Sequence, residues 1–183
     1  MMQNDDQEII AQLKQESTRE VAFHRLVSMY QEPLYWHVRK ILLSHEDSDD
    51  VLQNTFIKVW KSIHKFREES SLYTWLYRIA TNEAITCLNN NKRRSMLPLN
   101  EVSDILMHNL NSDPYLEGDK IQLKLQEAIV QLPEKQRIVF NLRYFDEMKY
   151  DDMAAILDTS VGALKASYHH AVKKVEEYMK NTD

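Results

Sequence analysis

The sequence predicts an all-α protein: two small helical domains joined by a linker, the second a helix-turn-helix. Three observations carry this expectation. Two glycines and four prolines in 183 residues are too few for the turns of a sheet-rich chain. Apolar residues recur at helical spacing in one segment after another. An acidic stretch interrupted by Pro98, Pro114 and Gly118 separates two groups of such segments. The length allows one large or two small domains, and a hydrophobic content of 43% is that of a globular chain.

Residues 1–16 are polar, with a weak helical hint from Ile9, Ile10 and Leu13. Residues 20–43 are stronger: Val21, Phe23, Leu26, Val27 and Tyr30 give apolar spacing, continued by Leu34, Trp36, Val38, Ile41 and Leu42. Pro33 is placed to kink or divide this helix. The acidic run 44–50 supplies Ser and Asp caps for a helix beginning near 49.

The stretch 49–94 organises the chain. In its first helix Val51, Leu52, Thr55, Phe56, Val59, Trp60 and Ile63 form a core-facing stripe. The opposite side reads Asp50, Gln53, Asn54, Ile57, Lys58 and Lys61. A solvated face with one stray Ile explains it, and so does a docking face for another protein. Residues 66–71 break the pattern. A second helix follows from about Leu72 to Leu88, burying Leu76, Ala80, Ala84 and Leu88, with Tyr77 and Cys87 near the edges. A separate stripe holds Trp75, Arg78, Asn82, Thr86 and Asn89 and runs into Lys92, Arg93 and Arg94. Cations meet phosphates, a ring stacks on an unpaired base, and an amide reads a base edge. Trp75 taken alone fits a core position; the whole stripe with its basic end favours single-stranded nucleic acid.

Residues 95–120 read as a linker with one short helical turn around Val102–Met107. Helices resume at Ile121, with Leu125, Ala128, Ile129 and Leu132 in register, and Pro133 fits the first turn of the next. Ile138, Val139, Leu142 and Phe145 give that helix its apolar side. Tyr150, Met153, Ala154 and Leu157 then mark a short amphipathic helix with Asp151 and Asp152 at its start. Asp158-Thr159-Ser160 makes a turn in which Ser160 can cap the last helix. That helix buries Leu164, Tyr168, Ala171, Val172, Val175 and Met179, and turns Lys165, Ala166, His169, His170 and Lys173 outward. A short helix, a tight turn and a helix with a cationic first half form a helix-turn-helix pattern, although a plain packed hairpin has the same outline.

The totals exclude several classes. A net charge of −5 does not announce a nucleic-acid binder, so such binding rests on local patches or on a larger partner. The lone Cys87 rules out an internal disulfide framework and a cysteine-rich zinc site, and reads as a small buried hydrophobe. His169 and His170 diverge by about 100° on a helix and do not chelate one ion, so no metal and no cofactor is expected. No phosphate loop, nucleophile triad or metal motif points to an enzyme. The N-terminal residues lack a secretion signal and no stretch has the length of a membrane span, so a cytoplasmic protein without membrane insertion is expected.

Two stretches, DDVLQNTFIKVWKSIHKFREESSLYTWLYRIATNEAI and LPEKQRIVFNLRYFDEMKYDDMAAILDTSVGALKASYHHAVKKVEE, resemble the extracytoplasmic-function (ECF) group of bacterial sigma factors, in that family's order. The resemblance implies a transcription initiation factor. Residues 1–94 would bind core RNA polymerase and recognise and melt the minus-ten element, 95–120 would link, and 121–183 would read the minus-thirty-five element. It places Asp50, Gln53 and Asn54 in the polymerase-docking helix, to which Ile57 adds an apolar contact. Phe66 falls in the loop that holds a flipped minus-ten base, and Asn82 stands on the helix beside that pocket; the stripe itself adds Trp75 and Arg78 to the minus-ten candidates. Arg143, Lys165, Ala166, His169, His170 and Lys173 fall on the surface facing minus-thirty-five DNA. Core RNA polymerase, promoter DNA and an anti-sigma factor are the implied partners. Glu68 and Asp158 stand where family members often have Gly, and Ser167, His170 and Val172 where they often have Arg. An autonomous helix-turn-helix regulator and a helical adaptor without a DNA role are the competing readings.

Overall fold

The structure is a computed structural model that describes residues 2–94, 103, 106, 107, 110 and 120–181, with backbone alone at 2–5 and 92–94. Its regular elements are helical: α1 (Met2–Leu13), α2 (Arg19–Leu42), α3 (His45–Ser62) running into a 3-10 turn (Ile63–Lys65), α4 (Leu72–Arg94), α5 (Lys120–Val130), α6 (Glu134–Tyr144), α7 (Tyr150–Leu157) and α8 (Val161–Asn181).

The N-terminal helix is well formed, because Ile9, Ile10 and Leu13 are buried together against α2. The Tyr30 hydroxyl donates to Asp6 at 2.8 Å and ties the two helices. Pro33 does not divide α2. It sits on the exposed side of the helix, where water can take the carbonyl that the ring leaves without an amide. The helix ends at Leu43, left-handed at φ 53°, whose N–H donates to the Arg39 carbonyl. Ser44 then caps α3, its Oγ accepting from the Asp47 N–H at 3.2 Å, so α3 starts at His45 and not near 49.

Helices α2, α3 and α4 enclose the first core, built on Leu26, Leu34, Val38, Val51, Val59, Ile63, Leu72, Leu76, Ala80 and Ala84. Trp60 departs from its expected place in this core. It is 36% exposed, with one edge against Phe23 at 4.9 Å and the Arg19 guanidinium over its face at 4.2 Å. Cys87 is half-buried rather than buried, its Sγ 3.8 Å from Asn91 Nδ2. An ion pair between Lys58 and Glu83 joins α3 to α4 at the surface.

The linker is not merely a spacer. Ser103, Leu106, Met107 and Leu110 are helical, and Leu106 and Leu110, one turn apart, are each 1% exposed within the first core. Val102 and the side chains of Lys92, Arg93 and Arg94 lie outside the described residues.

In the second half Ala128, Ile129, Leu132, Phe140, Ala171 and Val175 form a smaller core between α5, α6 and α8. Pro133 sits at the N-cap of α6, one position before its first turn. Ile121 is 73% exposed, unlike the buried Ala128 and Ile129 of the same helix. The other sides of α6 and α7, with Ile138, Val139, Leu142, Met153 and Ile156, continue the core of the first half. The halves therefore pack together, α2 on α6 and α4 on α7. Asn141 Nδ2 donates to the Lys40 carbonyl at 3.1 Å, and the Thr74 hydroxyl donates to Asp152 at 2.8 Å.

Candidate nucleic-acid interface

Three surfaces hold the residues singled out from the sequence. On α3, Asp50, Gln53, Asn54 and Ile57 fall on one exposed face at the i, i+3, i+4, i+7 spacing of a helix. Ile57 is 49% exposed. Trp60 lies one turn further and extends the apolar part of this face, a contribution that periodicity had assigned to the core. Its π-face is already engaged by Arg19, whose Nη2 also donates to the Trp60 carbonyl at 2.5 Å. That clamp holds the ring against α2.

The second surface is a pocket of about 420 Å³ lined by Lys65, Phe66, Arg67, Glu69, Ser70, Thr74, Trp75, Arg78, Ala155 and Asp158. Ser71 accepts from the Thr74 N–H at 3.1 Å and starts α4, which turns Trp75 back toward the loop. Phe66, 6% exposed, lies against Trp75 with ring centroids 5.0 Å apart and tilted by 42°. Trp75 thus packs on the core with one side and lines the pocket with the other. Glu68 takes the left-handed conformation, φ 60°, at the loop position where Gly was noted as usual, and pairs with Lys14. Arg78 lines the pocket, while Asn82 stands exposed one turn beyond and outside its lining. Lys65 and Arg67 add cations that the stripe on α4 did not include.

The third surface is the helix-turn-helix of α7 and α8. Asp158 makes the turn in the left-handed region at φ 50°, ψ 50°, a conformation that Asp tolerates better than most residues. Ser160 Oγ accepts from the Ala163 N–H at 3.3 Å and caps α8. Leu164, Ala171 and Val175 are buried, and Lys165, Ala166, His169, His170 and Lys173 are exposed on the other side. The rings of His169 and His170 lie 5.9 Å apart at 58°. Among the described residues no three His, Cys, Asp or Glu side chains are grouped to hold a metal. Arg143 lies beside this face, sharing the Tyr150 ring with Lys165. It is half-buried, donates from Nη1 to the Met148 carbonyl at 2.9 Å and lies 5.1 Å over the Tyr150 ring, so it braces the α6–α7 connection. Lys165 Nζ reaches the same ring at 5.7 Å.

Among the described residues no helix is long and apolar enough to cross a membrane. Residues 26–94 match the family model for sigma-70 region 2, and residues 122–175 that for sigma-70 region 4. The chain is similar to the RNA polymerase sigma-H factor of Pseudomonas aeruginosa, 28% identical over 97% of this chain and 95% of that one. It is similar to the ECF RNA polymerase sigma-E factor of Haemophilus influenzae, 34% identical over 93% of each chain. The fold is shared with CnrH, solved in complex with the cytosolic domain of CnrY, at a TM-score of 0.70 and 22% identity over 98% of this chain and 99% of that one. It is shared also with the sigma factor RpoE of Bartonella quintana, solved with the anti-sigma factor NepR, at a TM-score of 0.67 and 20% identity over 88% of this chain and 98% of that one. Two sigma-70 regions in order, and 34% identity running along nearly the whole of both chains, establish that this protein belongs to the ECF family of RNA polymerase sigma factors.

Proposed function

We propose that residues 1–94 dock this sigma factor on core RNA polymerase and open the minus-ten element, while residues 121–183 read the minus-thirty-five element, across the linker 95–120. The observation that carries the reading is the pocket before and along α4. An aromatic pair, Phe66 and Trp75, is ringed by Lys65, Arg67 and Arg78, the combination that accepts an unstacked base and its phosphates. The exposed face of α3, with Asp50, Gln53, Asn54 and Ile57, supplies the polymerase contact. Arg143, Lys165, Ala166, His169, His170 and Lys173 face the major groove of the minus-thirty-five element. The chain acts in the cytoplasm as an initiation factor, with no catalytic role of its own and no cofactor. One solved relative in fold is bound to an anti-sigma factor, and an anti-sigma factor is the expected regulator here as well.

A promoter library with randomised minus-ten and minus-thirty-five elements, transcribed by reconstituted holoenzyme, tests the division of labour. Asn82→Ala is expected to change preference within the minus-ten element alone, with melting unchanged because Asn82 is exposed. His169→Ala is expected to change preference within the minus-thirty-five element alone. Preferences that stay the same in both variants would defeat these assignments.

Binding of the full chain to a minus-thirty-five duplex gives a second check. His170→Arg is expected to tighten it and to steepen the log–log salt dependence by about 0.9, the contribution of one added phosphate contact. An unchanged slope in a fluorescence-anisotropy salt series would remove this face from the DNA backbone.

A further inference from the structure

Three helices bring side chains together around one aromatic ring at the edge of the helix-turn-helix. Tyr150 opens α7, half-buried and packed against the large core. The Arg143 guanidinium, from α6, lies over this ring at 5.1 Å from its centroid, and Lys165 Nζ, from α8, lies over it at 5.7 Å. Each cation is attracted by the π-electrons of the ring, yet the two repel one another.

The surroundings do not neutralise them. Among the described residues neither cation has a carboxylate partner. Arg143 Nη1 donates to the Met148 carbonyl at 2.9 Å, which occupies one corner of the guanidinium fork and leaves the rest of its donors to other acceptors. Lys165 is exposed. The acidic residues that follow Tyr150 are directed elsewhere. Asp152 accepts from the Thr74 hydroxyl of α4 at 2.8 Å, and Asp151 diverges from Tyr150 by about 100° around the helix.

A planar guanidinium and a compact ammonium held side by side suit an anion with two outward oxygens. A phosphodiester has that form: the guanidinium donates from a fixed fork, and the ammonium adds a point charge.

We propose that Tyr150 is a positioning residue for promoter binding: its ring gathers Arg143 and Lys165 into one cationic pair that grips a single backbone phosphate at the edge of the minus-thirty-five major groove. The proposal rests on the assignment of this face to the minus-thirty-five element made above. It adds the ligand that the pair takes and the residue that aligns the pair. The phenol hydroxyl has no part in the alignment, so a phenylalanine ring serves as well and an aliphatic side chain does not.

Binding of the full chain to a matched minus-thirty-five duplex is followed by fluorescence anisotropy over a salt series, with circular dichroism and thermal melting alongside. Tyr150→Phe keeps the π-face and is expected to match the wild type in affinity and in salt slope. Tyr150→Leu keeps apolar bulk against the core but removes the π-face. It is expected to bind about tenfold more weakly at fixed salt and to flatten the log–log slope by about 0.9, the share of one phosphate. A purely structural defect lowers the melting temperature and the fraction of competent protein, but does not change the slope.

A scan of neutral methylphosphonate linkages along the duplex needs no change at Tyr150, and serves should Tyr150→Leu fail to fold. One linkage is expected at which loss of the charge weakens the wild type by about tenfold. At that same linkage both Lys165→Gln and Arg143→Gln should lose much less, because both cations serve that phosphate. Equal affinity and slope in Tyr150→Leu and Tyr150→Phe would overturn the proposal. So would different sensitive linkages for Arg143 and Lys165. Either result leaves the minus-thirty-five reading in place. A wild type that binds a scrambled duplex as well as the matched one would overturn that reading, and the proposal with it.

Discussion

Gln53→Ala combined with Ile57→Asp is expected to abolish productive binding to core polymerase while leaving the fold intact. Both side chains are exposed on α3, and neither belongs to the core beneath. The new carboxylate must be desolvated at an apolar contact, which costs several kcal/mol, and a net loss of about 3 kcal/mol is roughly a hundredfold in Kd. A titration of labelled chain against core polymerase measures it, with thermal melting as the control. The neighbouring Trp60 gives an internal comparison. Trp60→Ala should weaken binding too, but it also removes the contacts with Phe23 and Arg19, so it should lower the melting temperature. Unchanged affinity in the double variant would remove α3 from the interface.

The second large effect is expected at Trp75. Trp75→Ala removes a ring that lies against Phe66 and lines the pocket. Loss of base stacking is worth about 1–3 kcal/mol per base, roughly 5- to 150-fold in open-complex formation. The same substitution costs stability, but less than the roughly 3–5 kcal/mol of a fully buried aromatic, because the ring is only half-buried. Trp75→Phe separates the two effects. It keeps an aromatic face, and should recover most of the promoter opening while melting remains below wild type. The assay belongs in the holoenzyme, since the pocket of the free chain is walled by Ala155 and Asp158. Loss of stability in Trp75→Ala with unchanged opening kinetics would reduce Trp75 to a packing residue.

The legible parts of the chain were those whose signals are local. The helix-turn-helix could be read in register because Asp151, Asp152 and Ser160 mark its helix starts and because Leu164, Ala171 and Val175 keep helical spacing to the end. The α4 stripe was legible for the same reason. Errors arose where a distant neighbour decides the outcome. Trp60 shares the spacing of Val59 and Ile63, yet the packing of Phe23 and Arg19 from α2 leaves it partly in solvent. Pro33 signals a break, but on an exposed side the helix continues without its amide. Leu106 and Leu110 stand amid linker-like residues, yet both are buried members of the large core. Ala155 and Asp158 enter the pocket across the interface between halves, and His37 meets Asp146 from 109 positions away. No periodicity carries such pairings.

As a sigma factor, this chain is expected to give core RNA polymerase a promoter specificity that it lacks alone. The most direct measurement is transcription from a random promoter library by purified core polymerase, with and without the chain, followed by sequencing of the transcripts. Transcripts are expected only when the chain is present, and the selected promoters should share one minus-ten and one minus-thirty-five element at fixed spacing. Identical transcript sets with and without it, or selected sequences that share no element, would contradict the account.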